Sequence, residues 1–102
     1  MYNYNANVVK VIDGDTVRLD IDLGFRVRWV SNCRLASINA PELGSGGEEA
    51  RDYLKTILPE NCKVEIVSRS LDKYGRPIVD IKSADGTVNQ HLIDKKLVKL
   101  YK

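Results

Sequence analysis

"TVRLDIDLGFRVRW", residues 16–29, decides the fold. Val17, Leu19, Ile21 and Leu23 alternate with Arg18, Asp20 and Asp22, the period of two that buries one face of a β-strand. Gly24 suits a turn, after which Phe25, Val27 and Trp29 alternate with Arg26 and Arg28 in a second strand. This pattern predicts a hairpin with one core face and one solvated face, the alternative being a surface that stacks bases and contacts phosphates. Upstream, Asn7 to Ile12 reads as a strand that turns through Asp13-Gly14-Asp15. Downstream, the polar pair Ser31-Asn32 predicts a bulge or break before Cys33 to Ile38 resumes extended structure. The N-terminal part of the chain, up to Pro41, thus reads as an antiparallel meander.

Pro41 ends strand pairing, and Leu43-Gly44-Ser45-Gly46-Gly47 reads as a flexible loop. From Glu48 the period changes: Ala50, Tyr53, Leu54, Ile57 and Leu58 fall on one side of a helix, with Glu48 and Glu49 in the first turn and Pro59 at its end. Lys63 to Ser68 and Pro77 to Ile81 read as strands joined by the Asp72–Arg76 loop, and Asp85-Gly86 as a turn. Thr87 and Gln90 have capping-box spacing for a second helix over Val88 to Lys96. Three strands, a helix, two strands and a helix give an α+β order, mainly β. A curled antiparallel sheet closed by a helix satisfies it, and the OB-fold barrel is one such architecture.

The 102 residues are enough for one domain, expected over 1–102, and too few for a second core. Apolar residues at 43% and charged residues at 29% are those of a globular protein. The formal charge of +2, from 16 basic and 14 acidic residues, is too balanced to announce a nucleic-acid partner, so any basic site must be local. No apolar run approaches a membrane span and the polar start lacks the features of a secretory leader, which predicts a soluble protein without a membrane partner. Cys33 and Cys62 lack the spacing of a zinc or redox motif and are expected to be buried thiols.

Three stretches can carry chemistry. Asp13-Gly14-Asp15 alone is a common turn. In "CRLASINAPE", residues 33–42, Arg34 sits within a strand and Glu42 at its end, where side chains can line a site. In "DKYGR", residues 72–76, Lys73 and Arg76 surround Tyr74, a combination able to grip a phosphate while stacking a base or sugar. Each alone also reads as an ordinary solvated surface group.

Together with "IDGDTV" and "VNQHLIDKKLVKLY", these stretches occur in the order of the staphylococcal nuclease (thermonuclease) family, which the chain resembles from about Val8 to Tyr101. The resemblance implies a five-stranded OB-fold barrel with two packed helices, and calcium-dependent hydrolysis of phosphodiesters in DNA and RNA. It assigns calcium ligation to Asp15, Asn39 and the Ala40 carbonyl, and turn-shaping to Asp13. Arg34 and Arg76 match the phosphate-binding arginines, Glu42 the glutamate that activates water, and Lys73 and Tyr74 the residues that contact a terminal phosphate. Asn39 stands where the family has a second aspartate, which implies a metal site weakened by one charge. Tyr101 falls near the prototype's late tyrosine region and reads equally as a packing residue. The implied partner is single-stranded DNA or RNA, bound by a monomer. The alternatives are a noncatalytic OB-fold module that binds single-stranded nucleic acid, and a protein-interaction module.

Overall fold

The computed structural model describes residues 2–41, 44, 46–83 and 86–100. Glu42 and Tyr101, Leu43 and Ser45 of the predicted loop, and Asp85 of the predicted turn lie outside the described residues. In chain order the elements are β1 (Tyr2–Asp13), β2 (Thr16–Asp22), β3 (Arg28–Leu35), β4 (Ile38–Asn39), α1 (Gly47–Ile57), β5 (Lys63–Leu71), β6 (Pro77–Ser83), β7 (Gly86–Thr87), α2 (Val88–Asp94) and β8 (Lys99–Leu100).

Five strands, ordered β3-β2-β1-β5-β6, close on themselves where β6 pairs in parallel with β3 through Arg34↔Ile78 and Leu35↔Val79. This is the OB-fold barrel with two helices. One strand can serve two neighbours because β1 is long and bent. Its first half pairs with both β5 and β2, and the register with β2 then slips between Val8 and Lys10 and again between Val11 and Asp13. Such bulges kink a strand and deepen its twist, as closure demands. The barrel is filled by the alternating residues of the meander, Val8, Val17, Leu19, Cys33 and Leu35, joined by Ile66, Val79 and Ile81, all essentially without solvent contact.

Helix α1 packs on this core through Ala50 and Leu54, with Leu58 just past its end; burying a leucine side chain contributes about 1.5–3 kcal/mol. Glu48 and Glu49 occupy its first turn as expected, and the Glu48 carboxylate accepts the Gly44 amide. For α2, Thr87 caps the start by accepting the Gln90 amide at 3.1 Å, while the Gln90 side chain turns forward to Asp94. The helix stops at Asp94, two residues before the expected Lys96, in a Schellman motif. The Lys96 amide reaches the Ile93 carbonyl at 2.9 Å, the Leu97 amide reaches that of Leu92 at 3.1 Å, and Lys96 is left-handed at φ 59°. Asn89, 4% exposed, then ties α2 to the barrel: its Oδ1 accepts the Ile81 amide and its Nδ2 donates to the Ala36 and Val79 carbonyls.

Some expectations change. The first strand begins at Tyr2 instead of Asn7, since its polar residues pair with β5. Ser31-Asn32 makes no break. The β2–β3 register is continuous from Thr16↔Arg34 to Asp22↔Arg28, and Asn32 Oδ1 accepts Arg18 Nε at 2.9 Å, so a cross-strand partner satisfies the polar pair. The third strand starts at Arg28 because Phe25 and Arg26 are left-handed turn residues at φ 55° and 64°. The predicted core face of this hairpin holds for Val17, Leu19 and Ile21 but fails toward the tip. Leu23, Phe25, Val27, Trp29 and Val30 are exposed, Phe25 fully at 101%, because the hairpin tip runs past the part of the barrel that could cover it. Cys33 is a buried free thiol, pushed up to about 12 by burial and so inert, whereas the free Cys62 is only half-buried. Among the described residues no helix is long and apolar enough to cross a membrane.

Candidate active site

The turn between β1 and β2 is built inward. Asp13 Oδ1 accepts the Asp15 amide at 3.1 Å, which folds the turn over itself. Gly14 is a glycine for reasons of space: a Cβ there would lie 2.6 Å from that of Ala50 on α1 and 2.8 Å from that of Ala40. The turn is thus wedged between the helix and the residue after β4, and Asp15 is delivered to the end of the barrel with 7% exposure.

A buried carboxylate needs partners, and Asp15 has several. Its Oδ2 accepts the Ala40 amide at 3.0 Å and pairs with Arg34 Nη1 at 2.7 Å, while its Oδ1 accepts the Thr16 hydroxyl at 3.2 Å. Arg34 extends the network, donating from Nη2 to the Ile38 carbonyl at 3.3 Å and to Asn39 Oδ1 at 3.2 Å. Burial alone would raise the Asp15 carboxyl. The hydrogen bonds from Asp13 and Ala40 and the Arg34 guanidinium outweigh burial and hold it below the usual aspartate range. Asp13 moves the other way, raised by its own burial and by the neighbouring Asp15 carboxyl.

Arg76 arrives from the other end of the sequence. The parallel β3–β6 pairing sets Arg34 opposite Ile78, so the turn just before β6 lies beside it. Asp72 holds that turn: its Oδ1 accepts the amides of Tyr74 at 2.8 Å and Arg76 at 2.9 Å, and its Oδ2 pairs with Arg76 Nε at 2.7 Å. Despite some desolvation, these donors keep the Asp72 carboxyl low. Tyr74, 72% exposed, has Lys73 Nζ at 5.2 Å and Arg76 Cζ at 5.4 Å from its ring centroid, giving a cation on an aromatic face. A cavity of about 540 Å³ is lined by Arg34, Asn39, Asp72, Lys73, Tyr74 and Arg76. A larger one, about 760 Å³, opens elsewhere among Asn5, Asp22, Arg28, Lys63, Glu65 and Lys82; there Lys82 is paired with Glu65 at 2.7 Å and Arg28 with Asp20 at 2.8 Å.

The structure therefore gathers Asp15, Arg34, Asn39 and Ala40 in one bonded cluster, and joins it through Arg34 and Asn39 to Lys73, Tyr74 and Arg76. Glu42 lies outside the described residues, two positions past Ala40. Arg26, Arg28, Phe25 and Trp29 belong to the far end of the hairpin; Arg28 opens β3 and Arg34 is its penultimate residue, which at about 3.3 Å per residue separates them by roughly 20 Å.

A model of the staphylococcal nuclease homologue family matches residues 32–102, more than half of the chain. The chain belongs to the staphylococcal nuclease family. It is 31% identical over 77 residues to the micrococcal nuclease of Shigella flexneri, an alignment covering 74% of this chain and 41% of that protein. It is also 29% identical over 113 residues to endonuclease YhcR of Bacillus subtilis (strain 168), covering 96% of this chain and 9% of that protein. The chain thus spans less than half the length of each of these relatives. The span matched to the staphylococcal nuclease family holds Arg34, Asn39, Lys73, Tyr74 and Arg76 and begins after the Asp13–Asp15 turn.

Calcium is the cation this family implies, and it takes oxygen donors. Among the described residues no three acidic, His or Cys side chains gather as a metal cluster. What the turn and β4 offer is the Asp15 carboxylate, the Asn39 amide oxygen and the Ala40 carbonyl, all oxygen donors of the type calcium takes and zinc does not favour. The donor set fits in kind and is short in charge.

Sequence reasoning missed Asp72, whose signal was its spacing of four before Arg76 around a glycine. It also missed Lys99, which β8 sets directly opposite Asn39. Strands of two residues have no periodicity to detect.

Proposed function

We propose that the protein is a metal-dependent nuclease that hydrolyses phosphodiesters in DNA and RNA. The observation that carries this reading is the convergence of two guanidinium groups, Arg34 and Arg76, on one cavity that Asn39 also lines, with the Asp15 carboxylate held directly against Arg34. The nuclease names of the two relatives agree with it.

The chemistry follows from charge. A phosphodiester is anionic and its oxygens gain negative charge as a nucleophile approaches, so donors fixed beforehand stabilise the transition state more than the ground state. Arginine suits both positions because it stays charged and donates through a planar fork. Arg34 is oriented by Asp15 and the Ile38 carbonyl, and Arg76 by Asp72, so neither has to be ordered by substrate. Asp15, Asn39 and the Ala40 carbonyl would hold calcium, which when bound supplies a further positive charge to the phosphate oxygens. Glu42 takes the role the family gives it, accepting a proton from, or orienting, the attacking water. Lys73 and Tyr74 hold a neighbouring phosphate and sugar.

The test is incubation of purified protein with single-stranded DNA in calcium or chelator, with Glu42→Gln and Arg34→Ala alongside. Cleavage that needs the metal and is lost in both variants is the expected result. Binding without cleavage across several divalent metals would reject the enzyme and leave a nucleic-acid-binding OB-fold module.

A further inference from the structure

We infer that a second phosphate subsite, made by Lys96 and Lys99, lies on the other side of Asn39 from the arginine cavity, so that the substrate is an internal stretch of polynucleotide held on both sides of the scissile phosphate. The inference rests on the phosphodiesterase reading above. A separate cavity of about 300 Å³ is lined by Asn39, Ala40, Pro41, Lys96, Val98 and Lys99. It shares Asn39 with the arginine cavity, so the two are adjoining chambers with Asn39 on the wall of both. A strand whose phosphate sits against Arg34 and Arg76 therefore meets a chamber lined by two lysines as it continues past Asn39 and Ala40.

Three features make this chamber more than a stretch of lysine-rich surface. First, the backbone of Lys99 is held in place: β8 pairs with β4 in the register Asn39↔Lys99, and buried Val98 anchors the strand to the core. Second, Lys96 occupies the left-handed residue of the Schellman motif, where glycine is the usual choice because it has no Cβ to strain. A lysine held there against conformational preference is understandable if its side chain has a task. Third, among the described residues neither Lys96 nor Lys99 enters an ion pair, a state they share with most of the lysines, so both charges are open to a phosphate.

The division of labour is chemically sensible. The phosphate that reacts needs directional donors, and guanidinium forks supply them. The phosphate that merely passes through needs only charge, and an ammonium is a compact, freely rotating point charge.

The experiment measures binding, in chelator, of two probes to the full chain: thymidine 5′-monophosphate, which has one phosphate, and an eight-nucleotide oligothymidylate. Lys99→Gln is expected to weaken the oligonucleotide about three- to tenfold near 0.1 M salt and to flatten its log K against log salt plot by about 0.7, the slope carried by one phosphate contact on a single strand. The monophosphate should be affected less than twofold. Lys96→Gly is expected to weaken the oligonucleotide while raising the thermal midpoint, opposite signs that a purely structural lysine cannot give. Oligonucleotide affinity and slope unchanged in both variants would overturn the subsite, as would an equal loss for the monophosphate. Absence of cleavage by the parent with these slopes intact would instead sink the hydrolase reading and leave the two-sided grip standing.

Discussion

Gly14 shows how much a missing methyl group can decide. Its backbone carries no left-handed strain; it is simply the one residue thin enough to pass between Ala50 and Ala40. Gly14→Ala is expected to cost about 1–3 kcal/mol, the range for overpacking a closed site, read as a lower denaturation midpoint. Because the same wedge seats Asp15 against the Ala40 amide, calcium affinity should fall with it; an unchanged midpoint would contradict the packing account. Asn39 is the complementary case. Asn39→Asp adds a carboxylate beside Arg34 and Asp15, and calorimetry should show tighter calcium binding, whereas no gain would count against Asn39 as a ligand.

Among the elements, the turn from Asp72 to Arg76 depends most on a single ionisation. The Asp72 carboxyl is held below its ordinary value of 3.8 by the amides and guanidinium it binds. A depressed folded-state value means that its stabilising contribution is fully present above 3.8 and lost as the pH falls through the lower folded value. An NMR titration of the Tyr74 and Arg76 amides should show no transition until the pH drops below 3.8; an inflection at or above that value would refute the assignment. Asp72→Asn keeps an acceptor for both amides but loses the charge that aims Arg76, and should lower the cleavage rate about tenfold, a modest loss of positioning. The other turn element, β2–β3, is built differently. Its tip is set by two left-handed non-glycine residues and projects apolar side chains into solvent, giving a molecule of 41 × 27 × 26 Å.

At the scale of the whole molecule, what was legible in the sequence is what short-range pattern encodes. The alternation from Val17 to Ile21, the helical spacing from Ala50 to Leu54, and the Thr87 cap all reappear in the structure. Arg34, Arg76, Asp15 and Asn39 were likewise recognisable, because their stretches stand in an ordered set. What was illegible is what distant partners impose. Nothing local tells Ser31-Asn32 to remain a strand, since the partner that satisfies Asn32 is Arg18 on the neighbouring strand. Nothing in the hairpin's alternation reveals that its inner side lacks a cover. The parallel seam between β3 and β6, and the β4–β8 pair that sets Lys99 opposite Asn39, join residues too far apart for any periodic signal.

That seam carries a consequence for the life of the chain. It consists of two residue pairs, and one of them includes Arg34 itself. The last strand to enter the barrel therefore completes the phosphate grip in the same event that shuts the sheet. During synthesis, a chain extended only as far as α1 exposes Arg34 without its counterpart from the far turn. On the nuclease reading, the two-arginine grip is thus absent from any chain in which β6 has not docked against β3.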